Sequence, residues 1–181
     1  MAVSLRMIRT IFLATSLAAA GAAHADLVEN GGFETGDFTG WTQFGDTGFT
    51  SVAAGFGQGN FGALFGPLSP GGVFQTLATT PGGTYDVSFY IEDLGVPTNF
   101  FEFNWDGGAP EWTYALPGIN PGFTTLHFLL TASSNATDIR FTFEHIPSFW
   151  VLDDVTVVPE PASLALLGLG LAGLGWSRRR S

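Results

Sequence analysis

The sequence predicts an all-β domain, an antiparallel two-sheet jelly-roll sandwich, flanked by an N-terminal signal helix and a C-terminal transmembrane helix. Three observations predict the sandwich. Apolar and polar residues alternate with a period of two along several runs; turn-forming glycines and prolines separate those runs; and no window of residues 26–158 sustains a capped period of 3.6. The spacing of runs and turns gives about nine to eleven short strands. The chain's 18 phenylalanines supply a filling, because aromatic side chains bury much area each and pack across the gap between two sheets.

The elements follow in chain order. Arg6 and Arg9 precede an apolar stretch at 11–23, and Ala23-His24-Ala25 supplies the small-x-small site of a signal peptidase, so residues 1–25 read as a signal peptide and Asp26 as the first exported residue. The stretch from Phe44 to Phe74 is rich in glycine and phenylalanine and leaves regular sandwich and irregular loop both open. After the turn Pro81-Gly82-Gly83, Tyr85, Val87, Phe89 and Ile91 alternate with Asp86, Ser88, Tyr90 and Glu92. Phe101, Phe103 and Trp105 alternate with Glu102, Asn104 and Asp106, and the turn Asp106-Gly107-Gly108 follows. Leu126, Phe128 and Leu130 form the next inward row, and Ile139, Phe141 and Phe143 another. Residues 26–158 suffice for one domain with a real core and no disulfides.

Composition excludes several functions. The chain has no cysteine, which removes disulfides, thiolate zinc sites and thiol catalysis together. Between residues 26 and 158 stand fifteen carboxylates, no lysine and one arginine, Arg140. Such a surface repels nucleic acid and anionic lipid, whose binding requires clustered cations. Neutral glycans, cations and cationic partners are compatible with it.

Residues 159–181 read as an address. Pro159-Glu160-Pro161 precedes an apolar run at 162–176 and the triplet Arg178-Arg179-Arg180. The run lies at the lower limit for a bilayer span, about 17–25 residues, with Trp176 and the arginines as interfacial anchors. Arginines prefer the cytoplasmic side, so the domain would lie outside. The three-part tail resembles the PEP-CTERM sorting signal of Gram-negative bacteria. That resemblance implies a precursor anchored in the inner membrane and cut near Pro-Glu-Pro by exosortase. It also implies a destination at the cell surface or in an exopolysaccharide matrix, as in a biofilm. A plain single-span anchor is the alternative.

A second resemblance is carried by Asn30-Gly31-Gly32-Phe33-Glu34-Thr35-Gly36, Gly40-Trp41, Pro81 to Phe89, and the closing Leu152-Asp153-Asp154-Val155. These segments are similar to the frame of galactose-binding-like sandwiches, carbohydrate-binding modules among them. The resemblance implies a structural calcium at Glu34 and Asp153 or Asp154, where first and last strands would meet beside backbone carbonyls. Asp153, on the face of Val151 and Val155, is expected to point inward, and Asp154 outward. The competing reading has Glu34 capping a turn and Asp153 accepting backbone N–H groups without metal. Trp105, Trp112 and Tyr114, around the hairpin at 106–111, form a candidate sugar platform, since flat aromatics stack on sugar C–H faces. Core packing is the alternative for all three. Glu92, Asp93, Glu102 and Glu111 offer carboxylates for a glycoside hydrolase, which needs two about 5–10 Å apart. The leading expectation is an exported, non-enzymatic surface or matrix protein with no catalytic residues. A carbohydrate-binding module ranks second and a hydrolase third.

Overall fold

The computed structural model describes residues 25–95, 98–114 and 124–160. The signal helix, Ala23, Pro161, the transmembrane helix and Arg178, Arg179 and Arg180 lie outside the described residues. Among the described residues no helix is long and apolar enough to cross a membrane.

The described residues contain ten strands: β1 Thr42–Gly45, β2 Thr50–Ala54, β3 Phe61–Phe65, β4 Gly71–Ala78, β5 Thr84–Asp93, β6 Thr98–Trp105, β7 Pro110–Tyr114, β8 Thr124–Thr131, β9 Ala136–Ile146 and β10 Trp150–Pro159. They form two five-stranded sheets, ordered β1-β4-β9-β6-β7 and β2-β3-β10-β5-β8. Every strand pair is antiparallel. This is the jelly-roll sandwich that the alternation predicts. The stretch left open, 44–74, holds β2 and β3, the end of β1 and the start of β4, so glycine there serves regular strands and their turns.

Period two places the core. The predicted inward rows of β5, β6 and β9 are all buried. Leu126, Phe128 and Leu130 of β8 are only half-buried, because β8 is a sheet edge with a neighbour on one side. The filling is an aromatic stack across the gap. Phe65 and Phe143 lie 4.1 Å apart at 10°, and Phe89 meets Phe141 edge to face at 4.9 Å. Such pairs contribute about 0.5–1.5 kcal/mol each beyond area burial. Trp41 stacks on Phe33 and donates its indole N–H to the Asn30 carbonyl.

Two segments depart from simple alternation. In β10 the register with β5 shifts between Asp153 and Thr156, and Asp154 takes φ +47°, the signature of a bulge. The extra residue reverses the faces beyond it. Leu152 and Val155 both join the core, whereas Asp153 shares the opposite face with Val151. The expectation that Asp153 faces with Val155 is therefore corrected. The second departure is Tyr90, buried on the outer face of β5 opposite Asp153, where period two alone predicts solvent.

Candidate functional site

The outer face of the first sheet carries a groove of about 590 Å³, within the range of roughly 300–1,000 Å³ usual for ligand pockets. Three strands and a hairpin converge on it: Phe44 and Gly45 come from β1, Arg140 and Thr142 from β9, Glu102 and Asn104 from β6, and Gly107 and Gly108 from the β6–β7 turn. Alternation explains the set. These are the outward partners of the buried rows Phe101-Phe103-Trp105 and Ile139-Phe141-Phe143, so packing the core presents them together. The ladder sets their spacing, since Asn104 pairs with Arg140 and Glu102 with Thr142. The Arg140 guanidinium carbon lies 3.5 Å from the centre of the Phe44 ring, and Phe74 flanks that ring at 6.3 Å. A cation over an aromatic face is worth about 0.5–1 kcal/mol at an exposed site.

Both ends of the groove are fastened. At one end Asp46 Oδ1 accepts the Gly48 N–H, and Oδ2 accepts the Leu68 and Ser69 N–H groups, which ties the β1–β2 turn to the segment before β4. The Gly48 N–H bond is the largest of several that hold the Asp46 carboxyl below its ordinary range. A lowered carboxylate pKa contributes stability that is present above the unfolded value near 3.8 and is lost as pH falls through the folded value. At the other end Asp106 and Gly107 take φ +60° and +67°, the left-handed pair that an Asp-Gly hairpin turn requires. Asp106 Oδ2 accepts from the Ser133 backbone N–H and hydroxyl, fixing the hairpin to the β8–β9 turn.

The aromatic platform expected from the sequence is distributed otherwise. Trp105 is 3% exposed, packs against Tyr85 and donates its indole N–H to the Thr131 carbonyl; it is core, which corrects its assignment to a sugar platform. Trp112 is 41% exposed and Tyr114 half-buried, both on the core-facing side of edge strand β7. Trp112 meets Phe128 edge to face and Tyr114 meets Trp150, so they close the seam between the sheets. The cleft they line, with Ile91, Phe101 and Leu126, holds about 80 Å³, too little for a sugar ring. Period two predicts this outcome, since 112 and 114 share the inward face that pairs with Phe103 and Phe101.

The carboxylates considered for hydrolysis lie on three strands, β5, β6 and β7. Glu92 accepts the Tyr90 hydroxyl at 2.8 Å, whereas Asp93, one residue on, is buried and pairs with His145 Nε2 at 2.7 Å. Asp93 also accepts from the Gly95 N–H and the Asn99 amide. Glu102 lies in the groove, and Glu111 is exposed on β7.

At the opposite sheet the glycine-rich opening meets β10 as expected: Leu27 N–H donates to Val157 O and Val155 N–H to Gly31 O. Glu34 accepts from Asn60 N–H, the Asn60 side chain and Phe61 N–H, which holds its pKa down, the Asn60 side chain contributing most. Asp153 Oδ2 accepts Gln58 N–H at 2.6 Å and Oδ1 accepts Asp154 N–H. Burial nevertheless pushes the Asp153 carboxyl up. Gly57, at φ +76°, permits this approach, because a Cβ there would stand 2.1 Å from Asp153 Oδ2. A Cβ on Gly32 would have Asp154 Oδ1 at 3.6 Å, Asp153 Oδ1 at 3.7 Å and Glu34 Cγ at 3.7 Å, so all three acids border one small space. Their carboxylates are not gathered on one point: among the described residues no group of three His, Cys, Asp or Glu side chains is placed to hold a metal.

Solved structures place this architecture in a class. TmCBM61 in complex with β-1,4-galactotriose is similar at TM-score 0.59 and 21% identity, over 75% of this chain and 99% of that one. The CBM22-1 xylan-binding domain from Paenibacillus barcinonensis Xyn10C is similar at 0.57 and 17%, over 76% and 96%. The enzymatically active domain of tailspike protein 4 from bacteriophage CBA120 aligns at 0.52 and 16%, over 75% of this chain but 21% of its own. The described domain thus has the jelly-roll fold of carbohydrate-binding modules. No curated protein matches the chain. Residues 157–180 match the PEP-CTERM protein-sorting motif, so the chain carries that signal, which implies an exported, membrane-anchored precursor processed by exosortase in a Gram-negative bacterium. Pro159 closes β10, and Glu160 donates its N–H to Thr84 O, so the motif begins on the sandwich itself.

Proposed function

We propose that the protein is an exported, non-enzymatic surface or exopolysaccharide-matrix component whose sandwich binds carbohydrate in the groove of the first sheet. The single observation that carries this reading is the groove: an open sheet face of suitable volume, with Phe44, Asn104, Glu102, Arg140 and Thr142 converging on it. Sugar hydroxyls both donate and accept. Glu102 takes hydroxyl hydrogens, Asn104 and Thr142 serve either role, and Phe44 offers an apolar face. Binding to a glycan array should be saturable, and Phe44→Ala or Asn104→Ala should weaken it about tenfold or more, while Trp112→Ala leaves it unchanged. Flat curves with every glycan would remove the reading. Binding should also fall as acidification carries pH below 3.8 and through the lower folded value of Asp46, which then loses the bonds that fasten the groove's end.

Signal peptidase and exosortase are the processing partners in this scheme, and the membrane is a transient one. Because β10 is complete at Pro159, removal of the tail leaves the sandwich whole. Mass spectrometry of surface-released protein should find a C-terminus near Pro159-Glu160-Pro161; an intact Arg178–Arg180 end would favour a permanent anchor.

We further propose structural calcium beside Gly32, held by Asp153, Asp154 and Glu34. Supporting it are the oxygen-only donor set and the space bordering Gly32. A carboxylate whose folded pKa is raised weakens the fold above that pKa, and the cost vanishes as pH falls toward the unfolded value near 3.8. A cation would offset that cost at neutral pH. Melting with calcium should exceed melting with chelator, by about 2.7 kcal/mol at one hundred times Kd, and Asp154→Asn should abolish the difference. Superimposed curves would rule calcium out.

A further inference from the structure

We infer that the groove recognises a sugar bearing a carboxylate, a uronic acid above all, through Arg140; this rests on the carbohydrate reading above and names its ligand class. Arg140 is the one cationic residue of permanent charge among the fifteen carboxylates of residues 26–158. Chance pairing on so acidic a surface would give it a partner. It has none: among the described residues the one ion pair is His145 with Asp93, and Arg140 makes no hydrogen bond to protein. Asp138, Glu102 and Glu144 stand on the same sheet face, yet none forms an ion pair with Arg140. Asp138 accepts the Thr76 hydroxyl at 2.5 Å, and Glu102 lies diagonally across the ladder, opposite Thr142. The Phe44 ring covers one face of the guanidinium, and Arg140 lines the groove.

That arrangement suits a planar anion. Guanidinium presents a rigid fork of N–H donors that matches a carboxylate bidentately, and stacking on an aromatic ring leaves the edge donors free. The surrounding carboxylates repel anions at long range, so attraction is confined to the one point where Arg140 stands. The consequence is selectivity rather than avidity: a neutral chain binds through Phe44, Asn104 and Thr142, and a uronate adds the fork.

The test compares oligogalacturonate, oligoglucuronate and oligomannuronate with their carboxyl-reduced counterparts, identical in linkage but neutral, by calorimetric titration of the purified protein. At least one uronate should bind about tenfold or more tightly than its reduced form. Arg140→Gln should bring that ratio to about one whatever it does to the affinity for the neutral chain, and Arg140→Lys should keep part of the preference. Equal affinity for each acid and its reduced form, or an Arg140→Gln variant that keeps the preference, overturns the inference and leaves carbohydrate binding standing. A sulfated glycan that binds as tightly as the uronate overturns it in favour of a general anion site. No binding to any acid or neutral chain overturns both.

Discussion

Asp93→Ala is expected to destabilise the domain by about 3–5 kcal/mol, because it removes the shared acceptor of a buried hydrogen-bonded cluster. The carboxylate ends β5 with no exposed side-chain surface, and it accepts from His145 Nε2, Gly95 N–H and the Asn99 amide. Truncation strands three donors at once, and each buried polar group left unpaired costs about 1–3 kcal/mol. The surroundings have little to offer in exchange. His145 Nδ1, Asn99 Oδ1 and Trp150 Nε1 are already buried without partners in this cluster. Urea denaturation should show the midpoint fall at constant slope. Asp93→Asn, which keeps an acceptor oxygen, should lose less. A drop below about 1 kcal/mol for the alanine variant would show that the cluster does not hold this end of the sandwich.

Phe141→Ala should cost a similar amount, about 3–5 kcal/mol, by a different route. Phe141 is fully buried at the centre of β9, and its ring meets Trp41, Phe89, Phe101 and Phe103 at centroid distances of 6.0, 4.9, 6.5 and 5.4 Å. Those rings come from three different segments, β6, β5 of the other sheet and the opening loop, so no single backbone shift refills the cavity. Phe141→Leu, which keeps most of the volume, should lose clearly less. Against a total stability of about 5–15 kcal/mol, the alanine variant loses a large share, and its urea midpoint should move accordingly. Equal midpoints for Phe141→Ala and wild type would contradict the packing described. Since Arg140 and Thr142 flank Phe141 on the other face, the same variant should also weaken glycan binding.

The rows at 85–91, 101–105 and 139–143 were legible in the sequence because a strand half-buried in a sandwich must alternate, and the turns at 81–83 and 106–108 because few residues tolerate their backbone angles. The PEP-CTERM tail was legible as a linear pattern. Three things were hidden. Strands β1 to β4 lie in a stretch where glycine and phenylalanine blur the period. The bulge at Asp154 reversed the faces of β10, and one extra residue is invisible to a pattern that assumes strict alternation. Tryptophan beside acids suggested a platform at 105–114, yet inward and outward faces differ by a single position, and Trp105 fell on the inward one.

What the sequence alone determined is therefore local: strand content, turn positions, an acidic cysteine-free surface and the address on its tail, each fixed by neighbours within a few residues. Only the tertiary structure decided that Phe44, Glu102, Asn104, Arg140 and Thr142 share one groove. They lie up to 98 positions apart and meet through the order β1-β4-β9-β6, which is set by nonlocal backbone hydrogen bonds and aromatic packing across the sheets. Periodicity tells which way a side chain faces; it carries no information about which strand lies beside which.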